Sequence, residues 1–269
     1  MHSDLPLGRD VDYPDTYSPG LLVAVSRQAA RQHIASATEL PFSGEDIWNA
    51  WELTWLDAQG KPAIAAVELR VPAESTHICE SKSLKLYLNS FAMSRFPSPD
   101  TVRETIADDL SAVVDGTVRV RFMDAGQADG IVIAESPGTC IDTLDIDVDY
   151  DSAPTVETDA SAVVSETLYS DLFRSLCPVT AQPDFASVSV SYRGPQIQRD
   201  SLLRYLLSFR RHQDFHEACV EQIFMHLASQ SDNERLLVSA RFLRRGGIDI
   251  NPWRANYDVS VSNDRGWRQ

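Results

Sequence analysis

Cysteine, basic charge and long apolar runs are all scarce in this chain, and each shortage removes a class of protein. The 269 residues hold four cysteines, Cys79, Cys140, Cys177 and Cys219, with no CxxC pair among them. That spacing is neither a disulfide framework nor a zinc ribbon, so free thiols in a reducing compartment are expected. No apolar run approaches the length needed to cross a bilayer. The opening "MHSDLPLGRDVDYPDTYSPG" lacks a basic stretch leading into an apolar one, so no signal peptide is expected and the cytoplasm is the default. Lysine and arginine number 24 against 39 acidic residues, a formal net charge of −15. Such a surface repels phosphate backbones and argues against tight binding of DNA or RNA. No GxGxxG is present, which excludes a Rossmann-type dinucleotide site.

What remains is an ordinary globular composition, 43% hydrophobic and 23% charged, long enough to bury a core without covalent staples. "DIWNAWELTWLDAQGKPAIAAVELRVP" gives two β-prone runs around "DAQGKP", a hairpin signature. Leu84, Tyr87, Leu88 and Phe91 share one face of a helix read over Ser83 to Phe96. Pro97 and Pro99 separate it from a second helix, "SPDTVRETIADDLSAVV", with Ser98 or Asp100 as its cap. "TVRVRFMDA" and "DTLDIDVDY" alternate as strands, and the polar stretch from Asp149 to Ala162 reads as a linker. The order then recurs: strand "FASVSVSYRGP", helices "SLLRYLLSF" and "DFHEACVEQIFMHLAS", strands "RLLVSARFLRR" and "NYDVSVS".

The two halves also share letters. SLKLYLNSF from Ser83 matches SLLRYLLSF from Ser201 at six of nine positions. With the matching element order, this points to an internal duplication, with halves at 1–150 and 151–269. The fold class expected is α+β, each half an antiparallel sheet backed by two helices.

"SLCPVTAQPDF" places Cys177 before Pro178, and Pro183 before Asp184. The prolines leave this loop few conformations, which suits a site where a thiol and a carboxyl meet at one atom. The competing reading is a buried cysteine and an aspartate that caps a turn. Near the other end of this half lies the basic cluster "RFLRRGG", a candidate anion site in an acidic protein.

"LCPVTAQPDF" closely resembles the cysteine loop of the NADPH-dependent 7-cyano-7-deazaguanine reductases, the nitrile reductases of queuosine biosynthesis. "ESKSLKLYLNSF" (Glu80 to Phe91) resembles the signature of the same family, and "DFHEACVEQIF" and "RRGGIDINPWR" are similar to two further motifs, in the family's order. "LGRDVDYPDTYSPGLL" and "DIWNAWELTWLDAQGKPAIA" add to a likeness that spans nearly the whole chain. The departures are Ala181 where glycine is commoner, Leu84 where phenylalanine is, and "AMSRF" after Phe91. The longer members of this family carry two tunnelling-fold halves in one chain.

The resemblance implies reduction of a nitrile to a primary amine with two hydrides from NADPH. Cys177 would be the nucleophile that forms a thioimide, and Asp184 the acid that protonates nitrogen, its proton held by burial or a nearby charge. Glu80 and Glu217 match carboxylates that accept from the donor edge of the deazaguanine, with His216 beside the substrate and backbone contacts from Ile78 and Cys79. Ser81, Lys82, Arg244, Arg245 and Gly246 match the NADPH side, where phosphates need cations and close backbone amides. Cys219, three residues after His216, becomes a candidate to pair reversibly with Cys177. A homodimer, a free-base substrate, and no nucleic acid, membrane or metal partner are the remaining expectations. Three rivals stay open: a zinc enzyme on the same fold similar to the GTP cyclohydrolases, using His212, His216 and Cys219; a non-catalytic homologue; and a cysteine hydrolase that needs no dinucleotide.

Overall fold

The structure, a computed structural model, describes residues 12–32, 40–123, 133–151 and 154–269. The first residues of "LGRDVDYPDTYSPGLL", the end of the strand read over 117–125 and residues 152–153 of the linker lie outside these. In chain order the elements are β1 (Ala24–Ser26), α1 (Gln28–Arg31), β2 (Ser43–Leu56), β3 (Pro62–Pro72), β4 (His77–Cys79), α2 (Ser81–Ser90), α3 (Pro99–Val114), β5 (Arg119–Met123), β6 (Ile133–Ala134) and β7 (Thr139–Cys140). They continue with β8 (Thr158–Leu176), β9 (Pro183–Ile197), α4 (Arg199–Ser208), α5 (His216–Gln230), β10 (Arg235–Phe242), β11 (Ile248–Ala255) and β12 (Arg265–Gly266). The chain is mixed α and β, two tandem tunnelling-fold halves, as the α+β expectation requires. No helix among the described residues is long and apolar enough to cross a membrane.

By contact the chain divides into two compact units that interleave in sequence. The first takes 1–29, 45–131 and 244–250; the second takes 30–44, 132–243 and 251–269. In the first, β3 pairs antiparallel with β2 on one side and β5 on the other. The hairpin turns where expected. Trp48, Leu53, Trp55, Val67 and Leu69 from its strands bury against Leu84 and Tyr87 of α2, Phe91 just after it, and Val102, Ile106 and Leu110 of α3. At about 25 cal/mol per Å², this apolar burial is the main stabilising term of the unit. Ser98 is the cap of α3: its Oγ accepts the Thr101 N–H at 3.1 Å.

In the second unit β9 pairs antiparallel with β8 and β10, β10 with β11, and the short β7 runs parallel to β8. Helix α4 packs on β8 and α5 on β10. Phe173, Val188, Val190, Leu202, Leu206, Val220, Phe224, Val238 and Phe242 fill the space between.

Four expectations need correction. The helix read to Phe96 ends at Ser90: Phe91 and Ala92 donate to Leu88 and Asn89 three residues back, tightening the turn so that Phe96 returns to stack on Phe91 at 5.1 Å. "DTLDIDVDY" is not a strand, because no neighbouring strand takes up its backbone and its side chains stay half-exposed or exposed after Asp142. The linker ends at Thr158, where the 19-residue β8 begins. "NYDVSVS" is not the closing strand; β11 is, and Asn256 stops it by turning its Oδ1 onto the Leu236 N–H at 2.7 Å.

The duplication is visible in hydrogen bonds. Ser83 Oγ donates to the Glu80 carbonyl at 2.7 Å and accepts the Val23 N–H at 3.1 Å. Ser201, its counterpart, donates to the Gln198 carbonyl at 2.8 Å and accepts the Glu157 N–H at 2.9 Å. Before each hairpin turn, Leu56 is bracketed by Ser94 and Phe96, and Leu176 by His212 and Asp214, through the same pair of backbone bonds. The cysteine loop in the second half therefore stands where "DAQGK" stands in the first.

Candidate active site

Strand β8 ends at Leu176 and β9 begins at Pro183, so the stiff loop of the sequence is a hairpin tip. The Cys177 N–H donates to the Gln182 carbonyl at 2.9 Å, and its own carbonyl accepts the Ala181 N–H at 3.0 Å. This closes a single helical turn, and the chain can leave it only through a left-handed residue. Ala181 is that residue, with φ of 56°. Ser175 and Asp184 face each other across the ladder, and Cys177 follows Ser175 by two residues, just beyond the end of β8. Cys177 and Asp184 are both buried, at 4% exposure each.

Helix α5 brings the other groups. It starts at His216, just after Phe215, so His216 and Glu217 lie in its first turn. The His216 Nε2 is 3.3 Å from the Asp184 Oδ2. Its ring stacks on Phe242 with centroids 3.9 Å apart and 12° between planes. Phe242 in turn takes Phe173 edge-on, which fixes the imidazole by packing as well as by its bond to Asp184. Glu217 is buried at 3% exposure. Cys219 is a free, fully buried thiol. Burial pushes it well above the usual thiol range, and Asp214, Asp184 and Glu217 add to the effect. The thiolate needed to open a disulfide exchange is thereby suppressed at Cys219. His212 precedes the helix, so the helical spacing that a zinc reading assumed for His212 and His216 is absent.

The first unit holds the remaining candidates. Ile78 and Cys79 are buried in β4, which pairs with β1. Glu80 is not a solvated acid but the buried cap of α2: its Oε1 accepts the Lys82 N–H at 2.8 Å and its Oε2 the Ser83 N–H at 2.7 Å. Burial raises Glu80 above the ordinary carboxylate value, with those bonds pulling the other way. Ser81 opens the helix, and the Lys82 ammonium donates to the Tyr13 hydroxyl at 2.9 Å.

"RRGG" forms a tight turn. Arg245 and Ile248 exchange both backbone bonds, at 2.8 and 3.1 Å, around Gly246 (φ 57°) and Gly247 (φ 81°). Positive φ at both central residues requires glycine. Among the described residues neither glycine N–H has an internal acceptor. A Cβ on Gly246 would fall 3.0 Å from the Lys85 ammonium, and one on Gly247 2.5 Å from the Glu52 carboxylate. Lys85, Glu52, Asn89 and the two glycines line one small cleft. Lys85 lies inside the quoted signature but sequence reasoning passed it over; its place one helical turn beyond Lys82 was the signal. Trp51 and Glu52, buried in the pattern of a strand, gave none. Lys82, Lys85, Arg244 and Arg245 with free turn amides suit a polyphosphate, so these residues fit a dinucleotide cofactor.

Two families match the chain. A family described as "Nitrile reductase, 7-cyano-7-deazaguanine-reductase N-term" matches residues 13–122, and one described as "QueF-like protein" matches residues 183–260. The chain is 48% identical over 270 residues to a protein of Bordetella avium, covering 99% of each. It is 51% identical to one of an Azoarcus species (93% of this chain, 90% of the relative) and 45% identical to one of Desulfotalea psychrophila (100% and 99%). All three relatives carry the name NADPH-dependent 7-cyano-7-deazaguanine reductase.

Proposed function

The chain belongs to the NADPH-dependent 7-cyano-7-deazaguanine reductases, an oxidoreductase family, and from that premise we propose that it reduces the nitrile of 7-cyano-7-deazaguanine to an aminomethyl group through a thioimide on Cys177, as a step towards queuosine in tRNA. The observation that carries the mechanism is the contact of buried Asp184, on the cysteine hairpin, with half-buried His216 at 3.3 Å.

A nitrile carbon is a modest electrophile. Addition of the Cys177 sulfur forms a C–S bond and turns C≡N into C=N, while nitrogen takes a proton from Asp184. His216, 3.3 Å from Asp184, replaces that proton. NADPH, when bound, supplies hydride twice. Across the reaction the carbon gains two hydrides and the nitrogen two protons, and the C–S bond breaks to return Cys177. The hairpin keeps thiol and carboxyl on one face, so the two need not be ordered at each turnover. Glu217 and Glu80 accept from the ring N–H and the exocyclic amine of the substrate, with Ile78 and Cys79 beside Glu80. Ser81, Lys82, Arg244, Arg245 and Gly246 hold the cofactor. The free base is the substrate, so no nucleic acid needs to dock, and the chains pair as homodimers in the cytoplasm; light scattering at a single-chain mass would refute the pairing.

The test follows nicotinamide absorbance with the free base and NADPH. Wild type oxidises about two NADPH per nitrile consumed, and Cys177→Ala oxidises none above background. Oxidation undiminished by Cys177→Ala refutes the mechanism, and nitrile loss without NADPH oxidation favours a hydrolase.

A further inference from the structure

Arg244 is an exposed cation in a strongly acidic chain, yet among the described residues its guanidinium has no carboxylate partner. It lies over the indole of Trp51, 4.7 Å from the ring centroid. The indole is itself held. Its Nε1–H donates to the Asp249 Oδ2 at 2.8 Å, while the Asp249 Oδ1 accepts from the Asn49 Nδ2 at 2.7 Å. Asp249 and Asn49 are both buried. The Trp51 N–H further donates to the Gly247 carbonyl at 3.0 Å, which ties the base of the indole to the turn that carries Arg244.

A guanidinium stacked on a fixed ring loses freedom about its long stem but keeps its edge donors and its second face. Two ligand features suit it together: a phosphate for the fork of N–H groups, and a flat heterocycle for the open face. The amides of Gly246 and Gly247 lie on the adjoining turn, and the Lys85 ammonium of α2, 3.5 Å from the Glu52 carboxylate, lies against it; together they serve a second phosphate. Only a nucleotide with separated phosphates uses both places at once.

Resting on the family reading of the cofactor, we propose that Arg244 reads the 2′-phosphate at the adenosine end of NADPH, and that Trp51, fixed by Asp249 and Asn49, is the positioning residue that aims it. The chain's preference for NADPH over NADH then resides in this stack, while the turn amides and Lys85 take the pyrophosphate common to both.

Calorimetric titration with adenosine 2′,5′-bisphosphate and with 5′-AMP tests this without turnover. Wild type binds the bisphosphate more tightly. Arg244→Met, an exposed change that leaves the core intact, loses roughly ten- to a hundredfold in bisphosphate affinity, the scale of a lost charge-assisted contact, and keeps its 5′-AMP affinity within about twofold. Trp51→Leu moves in the same selective direction, and Trp51→Phe, which restores a stacking face, recovers part of the loss. Equal losses for both nucleotides, or full bisphosphate selectivity in Arg244→Met, overturn the assignment. A wild type that binds neither nucleotide overturns the cofactor reading beneath it. A wild type that binds both equally while still oxidising NADPH overturns the inference alone.

Discussion

Single residues carry the chemistry here, and two of them also carry strain or cost. Ala181 stands at φ 56° because the turn closed by Cys177 needs a left-handed residue there. A side chain in that region costs roughly 1–2 kcal/mol, partly offset by the chain entropy that glycine would lose. Ala181→Gly is therefore expected to raise unfolding free energy by about 0.5–1 kcal/mol in urea titration; a loss of stability would show that the turn is not strained. Glu80 tests the electrostatics. Its folded value is raised by burial, so the folded chain binds its proton to higher pH than the unfolded chain does. Stability is then greatest below the ordinary value of 4.5 and falls as pH rises through the window up to the folded value. Glu80→Gln removes that slope, so its melting temperature relative to wild type climbs as pH rises across the window. The lost cap bond is a constant offset and leaves this trend intact; a flat difference contradicts the assignment. Cys177 shows the limit of reading residues singly. Its spacing to Asp184 fitted a buried structural cysteine equally well, and it is indeed buried. The catalytic reading gains support from Asp184 beside His216, a contact between residues 32 positions apart that periodicity cannot reveal.

At the scale of elements, the duplicated helix entries make a quantitative claim. Ser83 and Ser201 each bridge the residue just before a strand, Val23 or Glu157, to the helix N-terminus with one hydroxyl, in closely similar geometry. Ser83→Ala and Ser201→Ala should each cost about 0.5–1.5 kcal/mol, since a part-buried hydrogen bond from the Val23 or Glu157 N–H is lost. Denaturant midpoints measure this, and one costly site beside one silent site would argue against equivalent roles. The paired helices and the central hairpins were legible because each has an apolar face of one clear period. The longest strand was not. Strand β8 shifts register between Asp159 and Val163 and again between Ser170 and Phe173, so no single alternation runs through "SAVVSETLYSDLF". Strand β11 was missed for another reason: Pro252 interrupts it, and all eight residues are buried although Asp249, Asn251 and Arg254 are polar. "DTLDIDVDY" alternates well but has no partner strand, and a period alone does not supply one.

For the whole molecule, the proposed reaction draws on two groups of residues. The second unit holds the cysteine hairpin, Asp184, His216 and Glu217, while the first holds Glu80 and the basic turn around Gly246 and Gly247. In a chain of net charge −15, Arg244, which has no carboxylate partner among the described residues, stands out as a place for an anion. The family motifs made most of these residues legible, whereas the Trp51 stack and the Phe242 face behind His216 needed the folded chain. The central claim is that Cys177 attacks the nitrile while Asp184 supplies the proton, and intact-protein mass spectrometry tests it most directly. Without NADPH, wild type mixed with 7-cyano-7-deazaguanine should gain the mass of one substrate molecule, and Cys177→Ala and Asp184→Asn should gain none. A full adduct on Cys177→Ala, or on Asp184→Asn, would contradict the account.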